Sequence, residues 1–180
     1  MTVELVPYLI EQGTAWVVAQ QARYRPFGRA LSKEEWTSLA PFFTANRLES
    51  VIVSEAPVIE TPPFYEGLAA QGIQAPLDFR QMSGITFIET VLIASQVVGP
   101  QLQQNGWKRW IALLFHECVH VCQYRRLGVA AFIDQYIKGW AANGFAYHSI
   151  PFEAEAYALQ ARFEGGSAPF SVEAAVAAGA

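Results

Sequence analysis

Two histidines and a glutamate near the middle of the chain have the spacing of a hydrolytic metal site. His116, Glu117 and His120 form the pattern His-Glu-X-X-His inside the apolar run 113–121. On a helix, this spacing puts both imidazoles on one face, one turn apart, where they can bind a single metal ion. A glutamate beside such an ion is placed to accept a proton from water, which is how zinc hydrolases generate a nucleophile at neutral pH. The pattern therefore predicts a zinc-dependent hydrolytic site.

The surroundings of this motif predict a central, buried helix. It should run from about residue 107 to residue 127 and end at Gly128, because the residues just before the motif are apolar nearly all round. Buried histidines need hydrogen-bond partners, so the alternative interpretation is a pair of structural core histidines with no metal. Cys118 and Cys122 lie about 200° around the helix from the histidines. They are expected to be buried small side chains, neither zinc ligands nor a disulfide.

A third metal ligand can come from a helix further along the chain. Pro151 suits the first turn of this helix, which should continue to Phe163 and stop at the glycine pair 165–166. Glu153 and Glu155 flank its apolar face on opposite sides, each about 80° away. Either carboxylate can therefore approach the histidine pair.

Two polar residues directly before this helix are candidates for a second catalytic role. A metallohydrolase benefits from a donor aimed at the oxyanion that forms when water adds to a carbonyl. Tyr147 and His148 are the first candidates for this donor, and Tyr124 is a weaker one. His148 is also an alternative third metal ligand, since three histidines can bind zinc. The competing interpretation for each residue is an ordinary surface or core aromatic side chain.

The other segments predict a scaffold of the α+β class, mostly helical. β-branched runs indicate strands at 47–55 and at 84–94, the second as one long strand or a strand pair, and prolines make 56–79 rich in loops. These strands predict a small antiparallel sheet beside the motif helix, whose edge could accept an extended peptide as another strand. Further helices are predicted over 6–23 and 130–140, and from a capping box at 32–35.

The length of 180 residues favours a single domain. We expect this domain to cover 1–166, with 1–83 as a scaffold of helices and loops and 84–166 as the metal-site core. The remaining segment, 167–180, is rich in alanine and valine. It is expected to be a tail that packs loosely or docks in the groove of a partner.

Composition excludes several classes of protein. Apolar residues make up 52% of the chain and charged residues 16%, which excludes disorder. The net charge of −4 provides no basic field for phosphate backbones, so nucleic acid is not an expected partner. The apolar stretch 85–98 is too short to cross a bilayer. Residues 1–5 lack the pattern of a secretory signal, and a cytoplasmic location is expected.

The spacing of the motif and of the downstream glutamates resembles the active-site frame of the gluzincin zinc metallopeptidases. In size and order, residues 84–163 are most similar to the minimal members of that family, the minigluzincins. The resemblance implies that His116 and His120 bind zinc together with one downstream glutamate, and that Glu117 is the general base. It also implies a zincin-like fold.

The same resemblance favours one of the two downstream glutamates. In the family, the ligand glutamate is often followed, after three residues, by an aspartate that orients a histidine. At that distance Glu153 is followed by Tyr157, which can form a hydrogen bond, whereas Glu155 is followed by Leu159. Glu153 is therefore the expected ligand and Glu155 the alternative. The aspartate itself is missing here, which leaves the partners of the histidines to be found.

The leading functional hypothesis is a small zinc peptidase that acts on peptides or proteins. The alternative is a metalloprotease-like domain that binds zinc without catalysis and serves as a sensor or interaction module. The sequence does not predict an oligomeric state.

Overall fold

The computed structural model describes residues 5–70, 77–103 and 106–179. The helices in these ranges are α1 (Leu5–Tyr24), α2 (Lys33–Leu39), α3 (Ala45–Ser50), α4 (Phe64–Ala70), α5 (Ser95–Leu102), α6 (Gly106–Leu127), α7 (Val129–Ala142), α8 (Pro151–Glu164) and α9 (Val172–Ala178). The strands are β1 (Ile52–Ala56), β2 (Gly84–Phe87) and β3 (Thr90–Ala94). The predicted α+β class and the mostly helical content are confirmed.

The sheet is mixed, not antiparallel as we predicted. The strand order is β1-β3-β2, with β2 antiparallel and β1 parallel to β3. β2 and β3 are joined by residues 88–89, and so short a turn forces an antiparallel pair. β1 reaches the sheet through a much longer connection that contains α4, and such a connection permits a parallel pair.

Two boundaries in the first half also differ from the prediction. Residues 47–50 of the expected strand 47–55 belong to α3, and the strand begins only at Ile52, after the β-branched run has started. The expected loop 56–79 contains α4, which directly follows Pro62 and Pro63, a position that suits proline because its missing N–H has no helical partner there. Residues 71–76 of that loop lie outside the described residues.

The helix that carries the motif is the central element of the fold, as predicted. α6 contacts α2, α5, α7, α8 and α9, as well as β2 and β3. Every residue from Leu114 to Tyr124 is buried. Cys118 and Cys122 are buried free thiols on this helix, and burial raises the pKa of Cys122 to about 12.

β3 separates two apolar layers because its side chains alternate between the two faces of the sheet. Val91 and Ile93 pack in one cluster with the apolar side chains of α6, such as Leu114. Leu92 and Ala94 pack in the other cluster with α1 and α7. The strand is buried along its whole length.

The segment that we expected to pack loosely is instead part of the core. Val172 and Val176, four residues apart on α9, are buried in the same cluster as α6. The Ser171 side chain caps α9 by accepting from the amide of Ala174, and the Arg126 guanidinium donates to the Val176 carbonyl. The prediction was wrong because the Ala/Val composition hid a short amphipathic helix with a serine cap.

None of the helices in the described ranges is both long and apolar enough to cross a membrane.

Candidate metal centre

The donor atoms of three side chains meet at one buried point between α6 and α8. The Nε2 atoms of His116 and His120 lie 3.1 Å apart. Glu153 faces both, with Oε2 3.4 Å from His116 Nε2 and Oε1 3.5 Å from His120 Nε2. The three residues are 4%, 6% and 3% exposed. Among the described residues, they form the group whose ligand atoms all lie within 4.8 Å of one another.

These separations fit a tetrahedral metal ion. Ligand atoms about 2.0 to 2.1 Å from a common zinc ion, at tetrahedral angles, are about 3.3 to 3.4 Å apart. Glu153 Oε2 is buried and has no hydrogen-bond partner in the part of the chain that the structure describes. A buried carboxylate oxygen without a partner is costly unless a cation or donor meets it. Two imidazoles and one carboxylate are a ligand set that zinc accepts.

Glu153 is aimed at the histidines by its neighbours on α7 and at the start of α8. Pro151 is the first residue of α8, and it abuts Gly139 of α7 so closely that a Cβ on Gly139 would lie 2.7 Å from Pro151 Cδ. The Tyr136 hydroxyl, also from α7, donates to Glu153 Oε1 over 2.8 Å. The carboxylate is therefore held by one phenol while its second oxygen stays free for another partner.

The alternative third ligands lie elsewhere. Glu155 is directed away from the histidine pair, and its Oε2 accepts a hydrogen bond from Gln123 Nε2 over 2.8 Å. His148 is exposed and its ring lies 5.5 Å from that of Tyr157, centroid to centroid. Neither residue contributes an atom to the group of donors around Glu153.

Two glutamines, at other positions of the sequence, make the contacts with the histidines that we expected from an aspartate. His120 Nδ1 lies 2.7 Å from Gln123 Oε1, and His116 Nδ1 lies 3.1 Å from Gln160 Oε1. The amide orientations are consistent, because Gln123 Nε2 donates to the Phe152 carbonyl and to Glu155, and Gln160 Nε2 donates to the Glu164 carboxylate. An amide oxygen can only accept, so each Nδ1 carries a proton, and in its neutral form each imidazole then presents the lone pair of Nε2 to the shared point.

His120 and the Glu153 carboxylate stabilise each other's charged forms. Burial by itself lowers the pKa of His120, but the Glu153 carboxylate and the hydrogen bond to Gln123 raise it, to about 9. Burial likewise raises the pKa of Glu153, yet the two histidines hold it well below its ordinary value. Glu153 is therefore a full carboxylate at neutral pH, as a metal ligand must be.

Glu117 is held beside this group by the edge strand β2. The Thr86 hydroxyl donates to Glu117 Oε2 over 2.7 Å, and it also lies 3.0 Å from the Glu117 carbonyl oxygen. Gly84 leaves room for the carboxylate, since a Cβ there would lie 2.9 Å from Glu117 Oε1. The hydroxyl of Thr86 thus holds Oε2 of the carboxylate in place, and Oε1 lies next to Gly84.

The aromatic residues near the site have different surroundings. Tyr147 is half-buried next to Glu153, and burial, followed by the charge of Glu153, raises the pKa of its phenol. Tyr157 packs against the His116 ring at 4.5 Å between centroids, with the two ring planes tilted by 53°, where we had expected a hydrogen bond. Tyr124 stacks on Phe132 at 3.7 Å and is a core residue.

Two adjacent spaces, an outer cleft and an inner pocket, border the site, and Glu117 and Tyr147 line both of them. The outer cleft has a volume of about 720 Å³. Its polar walls include Arg109, His148, Tyr157, Gln160 and Glu164. The inner pocket has a volume of about 110 Å³ and reaches back between α1, α7 and β2. Its walls include Trp16, Phe79, Phe132, Ile133, Ile137 and Trp140.

Sequence reasoning missed four residues of the site. Gln123 lies three residues after His120 and Gln160 seven residues after Glu153, so helical periodicity could have found both as neighbours on the same helix face. Thr86 and Tyr136 come from β2 and α7, and no local spacing connects them to the motif. Only the tertiary fold brings them to Glu117 and Glu153.

Comparisons of the chain with models of protein families, with curated proteins and with solved structures found no match.

Proposed function

We propose that this protein is a zinc-dependent hydrolase, in the form of a small peptidase related in its active-site frame to the gluzincins. The observation that carries the proposal is the convergence of His116, His120 and Glu153 on one point, with the Glu117 carboxylate fixed beside it. A set of three protein donors leaves a fourth tetrahedral position open, which is typical of catalytic zinc; structural zinc sites have four protein ligands.

Each side chain has a distinct task in this proposal. When bound, zinc would supply a Lewis acid that polarises a carbonyl and makes water more acidic. Glu117 accepts a proton from water at Oε1, because Thr86 already donates to Oε2, and later gives this proton to the leaving amine. Gln160 and Gln123 keep the imidazoles in the tautomer that binds through Nε2.

Tyr147 is the proposed donor to the oxyanion. Burial and the nearby Glu153 carboxylate raise its pKa, so that its hydroxyl stays protonated and can donate across the physiological range. It also lines both spaces at the point where they meet. His148, by contrast, lies at the rim of the outer cleft, and we assign it contact with substrate and no step at the reacting atoms.

A peptide or protein is the proposed substrate, and a cytoplasmic location is part of the same proposal. β2 is an edge strand in the order β1-β3-β2, and its first residue, Gly84, lines the outer cleft. An extended peptide in the cleft could therefore pair with this strand through its backbone, which places a peptide carbonyl near Glu117.

Replacement of Glu117 tests the mechanism. The Glu117→Gln variant should retain one zinc ion per chain, measured by elemental analysis after purification without a metal-binding tag, because Glu117 is not among the ligands. It should lose peptide hydrolysis by a factor of at least about 100, the usual contribution of a general base. Zinc at full occupancy with undiminished hydrolysis would contradict the assignment of Glu117 as the base.

A second candidate function is favoured by the burial of the site. Glu117 is only 4% exposed, as little as the metal-binding candidates around it, and so closed a site also suits a module that binds zinc without catalysis. Incubation of the zinc-loaded protein with a broad peptide library distinguishes the two. The hydrolase cleaves peptides in a manner that depends on Glu117, whereas the module holds stoichiometric zinc and leaves every peptide intact.

A further inference from the structure

The inner pocket has one polar end and apolar walls. Among its described lining residues, the carboxylates and the imidazole are Glu117, His120 and Glu153, all at the end that adjoins the proposed metal site. The opposite walls come from α1 and α7 and are apolar, with Trp16 and Ile137 as examples. A ligand that fits this shape has an apolar body and a polar group at one end only.

Several residues of its walls are part of the folded core. Phe132 and Ile133 of α7 are 3% and 6% exposed, and Trp140 is 2% exposed. Trp16 is fixed edge-on against Phe79 and Phe87, with centroids 5.4 and 5.2 Å away. Pockets lined by such side chains bind apolar groups.

The position of the pocket relates it to the bond that the proposed enzyme would cleave. Glu117 and Tyr147 border both the inner pocket and the outer cleft. A substrate with its reacting carbonyl between these two residues can extend one substituent inward and the rest of its chain outward. The outer cleft carries charged and amide side chains, such as Arg109, Gln160 and Glu164, and suits the polar part of the substrate.

We propose that the inner pocket binds a bulky apolar substituent of the substrate, an aromatic ring or an aliphatic chain, next to the hydrolysed carbonyl. This assignment rests on the proposed hydrolase function. It makes α1 and α7 determinants of specificity, with Ile137 as a lining residue whose size limits the space in the pocket. Substrates with small or charged groups at this position are bound weakly, because they leave apolar walls without contacts or bury a charge.

A series of hydroxamates tests the proposal without a known substrate. The probes are acetohydroxamate, butanohydroxamate, hexanohydroxamate and octanohydroxamate, with phenylacetohydroxamate as the aromatic counterpart, and calorimetry on the zinc-loaded full chain gives their dissociation constants. Each added methylene that enters the pocket should tighten binding by about fourfold. Whether the aromatic probe or the longer chains bind more tightly decides between a ring and a chain as the natural substituent.

Two bulky substitutions locate the apolar part of the probe. Ile137→Trp fills the inner pocket and should abolish the gain with chain length while acetohydroxamate binds as in the wild type. Leu102→Trp is the matched control, because Leu102 is also half-buried on a helix but lines the outer cleft. Ile137→Ala enlarges the inner pocket and should extend the gain to longer chains, which keeps the test decisive should the Trp variant not fold. A gain with chain length that survives Ile137→Trp, or that disappears in Leu102→Trp, overturns the proposal.

A probe without a metal-binding group separates this inference from the function on which it rests. Binding of n-butylbenzene should raise the melting temperature of the wild type and of Leu102→Trp but not that of Ile137→Trp. If n-butylbenzene binds in this pattern and no hydroxamate does, the pocket stands and the zinc proposal falls. If the hydroxamates bind equally at all lengths and n-butylbenzene does not bind, the metal site stands and the pocket proposal is wrong.

Discussion

Amide oxygens, and not carboxylates, contact the Nδ1 atoms of His116 and His120. Gln160 and Gln123 fix the imidazole tautomers, and the negative charges lie one hydrogen bond further away, on Glu164 and Glu155. A carboxylate in direct contact would make each ring more basic, whereas an amide supplies orientation with only a dipole. The negative charge next to the metal-binding point therefore comes from the carboxylates of Glu153 and Glu117.

Removal of one of these amides should weaken metal binding. We expect Gln160→Ala to raise the zinc dissociation constant by about 10-fold to 100-fold, because His116 loses the group that fixes its tautomer. Gln160 is only half-buried, so the fold should be little affected. Competition with a chelator of known affinity measures the change. Gln135→Ala, at an exposed position of α7, is the control, and equal zinc affinity in the two variants would show that Gln160 has no such role.

Thr86 should affect turnover more than substrate affinity. Thr86→Val keeps the shape of the side chain but leaves Glu117 Oε2 without its buried donor. We expect kcat to fall by about 10-fold, less than on loss of the base itself, because the base is still present but poorly oriented. KM and zinc content should be nearly unchanged. Thr86→Ser retains the hydroxyl and should restore most of the activity. A Val variant as active as the Ser variant would exclude the hydrogen bond as a requirement.

At the scale of the elements, the sequence predicts best those helices that are determined by the pattern of neighbouring residues. α6 and α8 follow from apolar runs, Pro151 and the glycines that end them, and the motif spacing then brings His116 and His120 to one face. The parallel pairing of β1 with β3 depends on a partner that is distant in sequence, and no local signal contains it. Tyr136 reaches Glu153 only because α7 folds back onto α8, which is also a tertiary effect.

The close contact between α7 and α8 should set the position of Glu153. Gly139→Ala places a methyl group against Pro151, so that the first turn of α8 must move away from α7. We expect weaker zinc binding and a lower melting temperature, because Glu153 lies two residues after Pro151 and contacts Tyr136 of α7. Titration with zinc and thermal unfolding measure the two effects.

The matched control for this substitution is Gly99→Ala in α5. A Cβ at Gly99 would meet nothing within 4 Å among the described atoms, and alanine is the better helix former by about 1 kcal/mol. Gly99→Ala should therefore leave zinc affinity unchanged and not reduce stability. If both variants bind zinc like the wild type, the contact between Gly139 and Pro151 does not position the ligand.

At the scale of the whole molecule, the site depends on both halves of the chain. The predicted division at residue 83 separates a scaffold from a metal-site core, yet Trp16 of the first part lines the inner pocket. Glu35 provides another link between the two parts. It accepts hydrogen bonds from Arg29 and from the Trp110 indole of α6, over 2.7 to 2.8 Å, while it completes the capping box of α2 with Ser32.

This link predicts how stability depends on pH. Burial alone raises the pKa of Glu35, but the hydrogen bonds from Arg29, Ser32 and Trp110 lower it below its ordinary value. The contribution to stability is therefore complete above the ordinary glutamate pKa of about 4.3 and is lost as the pH falls from there through the lower pKa of the folded state. We expect the loss to be on the order of 2 kcal/mol, since charged hydrogen bonds are involved and Arg29 is partly exposed to solvent.

Urea denaturation at neutral pH and at about pH 3 measures this contribution in the wild type and in Glu35→Gln. At neutral pH the variant should be less stable than the wild type, and at about pH 3 the difference should shrink, because the carboxylate is then mostly protonated in the unfolded wild type, which lowers the free energy of unfolding. Glu34→Gln, an exposed neighbour on the same turn, is the control and should match the wild type at both values. If the difference in the free energy of unfolding between the wild type and Glu35→Gln does not depend on pH, the charge of Glu35 does not stabilise the contact between α2 and α6.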